Sequence, residues 1–248
     1  MHLCCGFPTL IAIISLFFIP IGGFYSGILS AIALTAVILT SVLVSFLATF
    51  ILSHTFLKGK TSSYILEMPP FRKPKIGSVI VRSVFDRTLF VLGRAVCVAI
   101  PAGVIIWVMA NVTVGDKTVL SLASEFLDPF AKIIGLDGVL LIAFILGFPA
   151  NEIVLPVAIM AYSSGSVLGE LPALSQLYDI LMSNGWTLNT AICTIVFSLF
   201  HWPCSTTVLT VKKETGSFLW ALFSAVYPTV IGIILCMIIT FAFKILGA

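Results

Sequence analysis

Long runs of apolar residues, separated by short polar stretches, make up most of the chain. The runs cover about residues 7–21, 26–57, 88–112, 138–162, 188–211 and 217–246. A run of roughly 18 or more apolar residues is long enough to cross the ~30 Å hydrocarbon core of a bilayer as a helix. The pattern therefore predicts an all-α, polytopic integral membrane protein with about six membrane segments, including broken or re-entrant helices. The first run is short, so a re-entrant course is open for it.

The connection at residues 58–87 is the most polar part of the chain. Its Lys and Arg residues outnumber its acidic residues Glu67 and Asp86, and basic loops favour the cytoplasmic side of a membrane. From Lys75 onward, apolar and basic residues alternate at helical spacing, which predicts an interfacial amphipathic helix. The chain is accordingly divided into a first membrane part at 1–57, a cytoplasmic basic loop with its interfacial helix at 58–87, and a membrane domain at 88–248.

The fourth apolar run contains Asn151 and Glu152 between Pro149 and Pro156. An ionisable residue deep in the membrane costs a few kcal/mol and usually faces a cavity, an ion path or a partner. Each proline removes a backbone donor, which leaves nearby carbonyls without helical partners, and lipid cannot satisfy them. We expect these helix-breaking prolines, the amide and the carboxylate to form an oxygen-rich cation site. The alternative is a protonated Glu152 that is hydrogen-bonded to a neighbouring helix.

Charge along the chain indicates that this fourth run is discontinuous. The polar parts of residues 111–189 are mainly acidic, so they are expected outside the cell, whereas Lys212 and Lys213 are expected in the cytoplasm. Both flanks of the fourth run would then lie outside. Both flanks can lie outside if the fourth run enters the membrane and returns to the same side. They can also do so if it is a broken helix that pairs with the less apolar segment at 120–135.

A second interrupted run, "SLFHWPCSTTVLTVKKETG", contains Pro203. His201 and Cys204 are three residues apart and occupy neighbouring helical positions, and imidazole and thiolate suit Fe(II), zinc or copper. Cys193 precedes Cys204 by about three helical turns, so both are expected on one side. An ordinary core role for this pair stays open, but paired interrupted segments are typical of a transporter site.

The remaining cysteines support weaker interpretations. Cys4 and Cys5 lie at the mouth of the first run, where either a third ligand site or an ordinary chain start is open. Cys97 and Cys236 are expected to be small, buried, apolar side chains. The pattern is not that of an extracellular disulfide framework. No removable signal peptide is expected, because a basic n-region and a cleavage site are missing.

Enzymatic motifs are not recognisable in the sequence. The stretch "HTFLKGKT" ends like a phosphate-binding loop, but His54 occupies the place of its first glycine and an apolar run precedes it. The order of Ser, His and Asp residues does not indicate a hydrolase, and the formal net charge of +3 does not indicate a nucleic-acid partner. We therefore expect the chain not to be an enzyme.

Four stretches resemble the membrane part of the bacterial ferrous iron transporter FeoB family. They are "CCGFPTLIAIISLFF", "EMPPFRKP", "ILGFPANEIVLP" and "WPCSTTVLTVKKETGSFLWALFSAVYP", in the family's order. The resemblance implies two Gate-type repeats, with a remnant of the first at 1–57 and the second as the membrane domain at 88–248. It also implies that this domain moves Fe(II) across the bacterial cytoplasmic membrane. It implies a place on the iron path for Cys204 and a polar Gate position for Glu152. Cys4 or Cys5 would match the cysteine of the first Gate repeat, although the usual Arg before Phe-Pro is absent.

The same resemblance implies partners. FeoB proteins normally begin with a cytosolic GTP-binding domain, so this chain resembles a truncated or split form. Its expected partners are membrane lipid, a GTP-binding FeoB-type chain, a small Feo accessory protein and further copies of itself, with Fe(II) as cargo and no organic cofactor. Two alternatives stay open: a Gate-domain protein that carries nucleosides or another solute by means of Trp202 and Asn151, and a subunit that does not transport.

Overall fold

The structure is a computed structural model that describes residues 10–16, 23–55, 88–163 and 174–246, with single positions at 77 and 81. Within these ranges the chain is almost wholly helical, which confirms the predicted class. Residues 10–16 are helical. The further helices are α1 (Gly23–Thr55), α2 (Phe90–Asn111), α3 (Val119–Ile133), α4 (Gly138–Leu146), α5 (Val154–Tyr162), α6 (Leu174–Ser183), α7 (Leu188–Phe200), α8 (Ser205–Thr215) and α9 (Phe218–Leu246). A small antiparallel hairpin, β1 (Thr113–Val114) and β2 (Lys117–Thr118), was not predicted.

Three described stretches are long and apolar enough to cross a membrane: Gly27–Thr55, Leu188–Thr215 and Phe218–Ile245. The helices α3 and α4 also qualify together, but they are bent by 107° at the turn between them. The described ranges thus contain three candidate spans, or four if the bent pair is one span, and the predicted six are not confirmed. Most of the first apolar run lies outside the described residues.

The chain divides into two compact units. One comprises residues 35–97 and contains most of α1 and the start of α2. On α1, large apolar side chains such as Phe46 and Phe50 are exposed, as expected for a helix that faces lipid. The basic loop and the predicted interfacial helix lie outside the described residues, apart from positions 77 and 81.

The other unit comprises residues 1–34 and 98–248 and contains α3 to α9. Its helices α3 and α4 pack closely because Gly138 has no side chain: a Cβ there would lie 1.9 Å from the carbonyl oxygen of Ser124. Asp137 caps α4 by accepting a hydrogen bond from the Leu140 N–H at 2.7 Å. The Gly138 N–H donates to Asp128 Oδ1 at 3.2 Å. These contacts hold the polar turn between α3 and α4.

Helical geometry is lost at residues 147–150, between α4 and the 3-10 turn Asn151–Ile153, and again at 201–204, between α7 and α8. The predicted discontinuity of the 138–162 run is confirmed. Pro149 lies in the first break and Pro203 in the second. Pro156 does not interrupt a helix, contrary to the expectation, because it occupies the first turn of α5, where a backbone N–H has no intrahelical partner anyway.

Aromatic packing brings the two broken segments together. Phe144 of α4 contacts Phe197 of α7 edge to face, with ring centroids 4.9 Å apart. The His201 ring, at the end of α7, lies 5.0 Å from the same Phe144 ring. Since Phe144 and Phe197 are almost completely buried, the core of this unit lies next to both breaks.

Candidate functional site

The two breaks are joined by a backbone hydrogen bond. Ser205, the first residue of α8, donates its N–H to the carbonyl oxygen of Phe148 at 2.9 Å. The first N–H groups of a helix have no partner within the helix, and the carbonyl of Phe148 belongs to a stretch without helical bonds. Each break therefore supplies the group that the other lacks, and the two breaks form one site, which we call the break site.

Polar atoms without partners are concentrated in the chain around the break site. Asn151 is 3% exposed, and neither its Oδ1 nor its Nδ2 has a hydrogen-bond partner within the described part of the chain. The same holds for the buried atoms Ser198 Oγ, Trp202 Nε1 and Ser205 Oγ. Burying an unpaired amide or hydroxyl costs about 1–3 kcal/mol. An arrangement of this kind is stable only when something polar fills it, such as water or a ligand.

Cys204 contributes a soft ligand to the break site. It is buried and caps the N-terminus of α8 with an extended backbone, φ −60° and ψ 153°. Its Sγ lies 3.1 Å from Thr206 Oγ1 and 3.2 Å from Thr207 Oγ1. The sulfur is thus next to the positive end of the α8 dipole and within reach of two hydroxyls.

His201 is held by its own helix. It is 2% exposed, and its Nδ1 lies 3.0 Å from the Ser198 carbonyl and 3.1 Å from the Phe197 carbonyl. Because a carbonyl can only accept, Nδ1 is the donor in these contacts. The ring is therefore held against the C-terminal end of α7.

Glu152 does not share the buried position of Asn151. Its side chain is exposed, whereas Asn151 is buried. Adjacent residues of the tight 3-10 turn point in different directions, since each step rotates the chain by about a third of a turn. We predicted that Asn151 and Glu152 would lie in one site. The structure buries only the amide of Asn151, and the carboxylate of Glu152 lies on the exposed face of the same turn.

Cys193 also differs from the prediction, because its partners lie elsewhere. It was expected beside Cys204, but its Sγ approaches Asn189 of α7 and Thr240 of α9. Cys236 is fully buried as expected, whereas Cys97 is exposed, so the prediction of burial was wrong for Cys97. Cys4 and Cys5 lie outside the described residues.

The break site offers few ionic ligands. Among the described residues, no group of three or more His, Cys, Asp or Glu side chains is placed to hold a metal ion. The Cys204 sulfur and the His201 imidazole lie at the second break, and the Asn151 amide lies directly after the first. These donor types suit a borderline divalent cation.

A second feature, an acidic cavity of about 610 Å³, lies between the β1–β2 hairpin, α3, α4 and α5. The carboxylates that line it are Asp116, Glu125, Asp128 and Asp137, with Lys117 as the one cation of its wall. Carboxylates in a concave surface raise the local concentration of cations, but Glu125 is already paired with Lys117 and Asp128 with Lys132. The sequence showed that this region is acidic, but only the fold brings these residues to one cavity.

A hydrogen-bonded chain fixes one wall of the acidic cavity. Tyr162, the last residue of α5, donates its hydroxyl to Asp137 Oδ2 and accepts from Trp186 Nε1 at 2.8 Å. Because the three residues are far apart in sequence, no spacing rule indicates this contact. It ties the start of α4 to the end of α5 and to the turn before α7.

Two family models match the chain. The Gate model, described as nucleoside recognition, matches residues 92–218. The model of the ferrous iron transport protein B C terminus matches residues 34–86. The first contains both breaks and the acidic cavity residues, and the second contains most of α1 and the basic loop.

Curated relatives named Fe(2+) transporter FeoB match most of the chain. The protein of Leptospira interrogans is 26% identical over 228 residues, which are 83% of this chain and 32% of that protein. That of Staphylococcus aureus strain MSSA476 is 26% identical over 229 residues, 88% of this chain and 32% of that protein. That of Leptospira biflexa is 24% identical over 97% of this chain. The chain spans about a third of the length of these relatives. No solved structure matches it.

Proposed function

The chain belongs to the Gate family, and on this basis we propose that it forms part of the membrane path for Fe(II) in a FeoB-type transporter. The observation that carries the proposal is the hydrogen bond between Ser205 and Phe148, which joins the two helix breaks. Paired broken helices that meet inside a bundle are the usual form of a transporter's ion site. The FeoB relatives support iron as the ion, because they are named Fe(2+) transporters.

In the proposed path, Fe(II) exchanges part of its water for ligands of the break site. Cys204 supplies a sulfur ligand, Asn151 supplies an amide oxygen, and His201 lies beside Cys204 at the second break. A transported ion must also leave, so a few ligands of mixed softness serve it better than a closed cage. Glu152, on the exposed face of the 3-10 turn, and the acidic cavity attract cations before they lose water.

The proposal includes a bacterial cytoplasmic membrane location with several crossings. It also includes a partner that supplies the energy, either a GTP-binding FeoB-type chain or a small Feo accessory protein, and further copies of this chain as an alternative assembly. Catalysis is assigned to that partner and not to this chain. Co-purification of a GTP-binding chain from native membranes supports this assignment, and full activity of the chain alone in vesicles would refute it.

Anaerobic Fe(II) binding and uptake test the proposed path. The purified chain is compared with Cys204→Ser and Asn151→Leu, and with Cys97→Ser as a matched control that removes an exposed thiol. Uptake is followed in vesicles that contain an Fe(II)-chelating fluorophore, with and without the partner chain. Saturable binding that is weakened in the first two variants and retained in the control supports the path. Equal binding in all four proteins would overturn it.

A neutral solute is the second candidate, and one observation favours it. Trp202 Nε1 and the Asn151 amide are buried without partners in the described part of the chain. An indole N–H and an amide can hydrogen-bond to a nucleobase, and they can equally hydrogen-bond to the water molecules around a metal ion. The Gate model's description, nucleoside recognition, agrees with this alternative. Uptake of a nucleoside that does not depend on Cys204 would favour it over iron. If the chain is instead a subunit that does not transport, conservative replacement of Glu152 or Cys204 would leave the flux through the whole complex unchanged.

A further inference from the structure

Helix α3 exposes a row of large apolar side chains. Phe126 is 74% exposed, and the other members of the row, Leu122, Phe130 and Ile133, are exposed as well. These positions follow one another at steps of four, four and three residues, so they lie on one side of the helix. Within the described residues this side is left open, and we call it the α3 stripe.

The rest of the α3 surface has two other kinds of surroundings. One side packs against α4 and contains the buried residues Leu120, Ser124 and Ala131. Another side carries charge: Glu125 pairs with Lys117, and Asp128 pairs with Lys132, in salt bridges whose side chains stay partly exposed. The helix therefore has a protein side, a charged side and an apolar side, and only the apolar side lacks a partner that suits it.

The turn at residues 134–137 sets the direction of α3. The helices α3 and α4 are bent by 107° relative to each other, so their axes are nearly perpendicular. Since α4 is wholly apolar and leads to the break site, it is the member of the pair that enters the bilayer, and α3 then lies nearly parallel to the membrane surface. With 15 residues, α3 is about 22 Å long, which is less than the ~30 Å of the hydrocarbon core.

The end of α2 marks the depth at which α3 starts. On the part of α2 that belongs to the same unit, apolar side chains such as Ile100 and Val104 are exposed, as on a surface that faces lipid. Trp107, 63% exposed, lies about one turn before the end of α2, and tryptophan is enriched where hydrocarbon meets headgroups. The hairpin returns the chain to this level, because the Val119 N–H donates to the Val112 carbonyl at 3.0 Å.

We propose that α3 is an interfacial helix whose stripe is embedded in the surface of a phospholipid bilayer. Helices of this kind bury their apolar side at the boundary between headgroups and acyl chains, while their charged groups stay in water. Phe126 and Phe130 enter the acyl chains, and the salt bridges of Glu125 and Asp128 stay among headgroups and water, so no charge is placed in hydrocarbon. The acidic cavity, which α3 lines with its charged side, then lies at the level of the membrane surface.

The charges of α3 indicate which lipid is needed. The helix carries Glu125, Asp128 and Lys132, so its excess charge is acidic, whereas interfacial helices that depend on anionic lipid are rich in Lys and Arg. Insertion of α3 therefore rests on apolar area. It should be the same in phosphatidylcholine as in a mixture with anionic phosphatidylglycerol, and it should not change with salt.

Spin labels measure the depth of α3 in the membrane. Cysteine replaces the four stripe residues one at a time in the full chain, in which Cys4, Cys5 and Cys97 have been changed to serine, and the parent protein gives the background from its buried thiols. Collisions with O2, which concentrates in hydrocarbon, and with a water-soluble nickel chelate report the depth of each label in phosphatidylcholine vesicles. A helix along the membrane normal would separate Leu122 and Ile133 by about 16 Å in depth. A helix along the surface places both at nearly one depth.

We expect all four stripe labels to collide with O2 at one shallow depth. A label at Lys132, on the charged side, is the matched control and is expected to meet the nickel chelate instead. Depth that increases steadily from Leu122 to Ile133 would overturn the proposal, because α3 would then belong to a spanning segment. Stripe labels that neither reagent reaches would also overturn it, since a second copy or another protein would cover the stripe. So would stripe labels that only the nickel chelate reaches.

Tryptophan fluorescence provides a second measurement that needs no cysteine replacement. Phe126→Trp is expected to gain emission that lipids brominated near the headgroup quench more strongly than lipids brominated at the chain end. Lys132→Trp is the control, and aqueous iodide should quench it instead. Emission of Phe126→Trp that no brominated lipid quenches would contradict the proposal. Neither measurement involves iron, so failure of the interfacial helix is distinguishable from failure of the proposed iron path.

Discussion

The N–H of Ser205 and the carbonyl of Phe148 satisfy each other across two helix breaks, at a distance of 2.9 Å. Ser205 opens α8, and Phe148 lies just before the 3-10 turn that carries Asn151. Neither group has a helical partner, so this single bond determines how the two broken segments meet. The geometry of the break site depends on it.

Ser205→Pro should remove that bond without damaging α8. Proline is well tolerated at the first position of a helix, and the extended backbone of Cys204 (φ −60°, ψ 153°) suits a residue that precedes proline. We expect a loss of about 1 kcal/mol of stability, seen as a lower thermal midpoint in detergent, together with weaker Fe(II) binding. Ser205→Ala, which keeps the N–H and removes the same hydroxyl, is the control, and the proline variant should bind Fe(II) more weakly than the alanine variant. Equal binding by the two variants would show that the bond does not shape the site.

Asn151→Leu should separate stability from function. The amide is buried without a partner among the described residues, so an apolar side chain of similar size should stabilise the fold by about 1–3 kcal/mol while weakening Fe(II) binding. Thermal unfolding and anaerobic binding measure the two effects. A destabilised variant would mean that the amide has a structural role in the empty protein.

Glu152→Gln should leave stability nearly unchanged, within about 0.5 kcal/mol, because its side chain is exposed. Its effect should be on the rate of Fe(II) uptake. At low ionic strength the variant should be slower than the wild type, and in high salt, where exposed charges are screened, the two rates should be equal. Uptake rates at two salt concentrations test this. An unchanged rate at low salt would remove Glu152 from the path.

Tyr162→Phe should lower the free energy of unfolding of the protein by about 1.5–3 kcal/mol. The reason is that Asp137, in the wall of the acidic cavity, loses a donor and Trp186 loses an acceptor. Tyr178→Phe removes a phenol hydroxyl outside this network and should change stability by less than about 0.5 kcal/mol. Thermal midpoints of the two variants provide the comparison. Equal midpoints would show that the three residues do not act together.

Gly135→Ala and Gly185→Ala form a matched pair. Both glycines have positive φ, +79° and +82°, so each alanine costs about 1–2 kcal/mol of backbone strain. Only Gly135 has side chains within 4 Å of the added Cβ, which adds about 1–3 kcal/mol of overpacking. Gly135→Ala should therefore have the lower thermal midpoint of the two variants. Equal midpoints would show that Thr240 and Cys193 move aside to accommodate the added methyl group.

The sequence predicted the helical class and the position of both breaks, because Pro149 and Pro203 act locally on the backbone. It did not predict that Pro156 would lie inside a helix. A proline breaks a helix only when it lies beyond the first turn, and the residue at which α5 starts depends on tertiary context. The exposure of Glu152 could not be predicted either. Hydropathy treats the residues of an apolar run alike, whereas the 3-10 turn buries Asn151 and exposes its neighbour.

Contacts between distant helices could not be predicted from the sequence. Helical spacing placed Cys193 on the side of Cys204, but the break at 201–204 ends that helical register, and packing against α9 places Cys193 opposite Cys236. Tyr162 and Asp137 lie on different helices for the same reason. Spacing rules apply within one uninterrupted helix, so they fail at the very interruptions that build the site.

The link between the two breaks also has a consequence for biosynthesis. Chains are made from the N-terminus, so the Phe148 carbonyl leaves the ribosome before the N–H of Ser205 has been made. During that interval lipid cannot provide a donor for the carbonyl, and water or the insertion machinery must do so. A nascent chain that ends after α5 therefore lacks the donor that the complete fold supplies, and the contact between the two breaks can form only after α8 has been made.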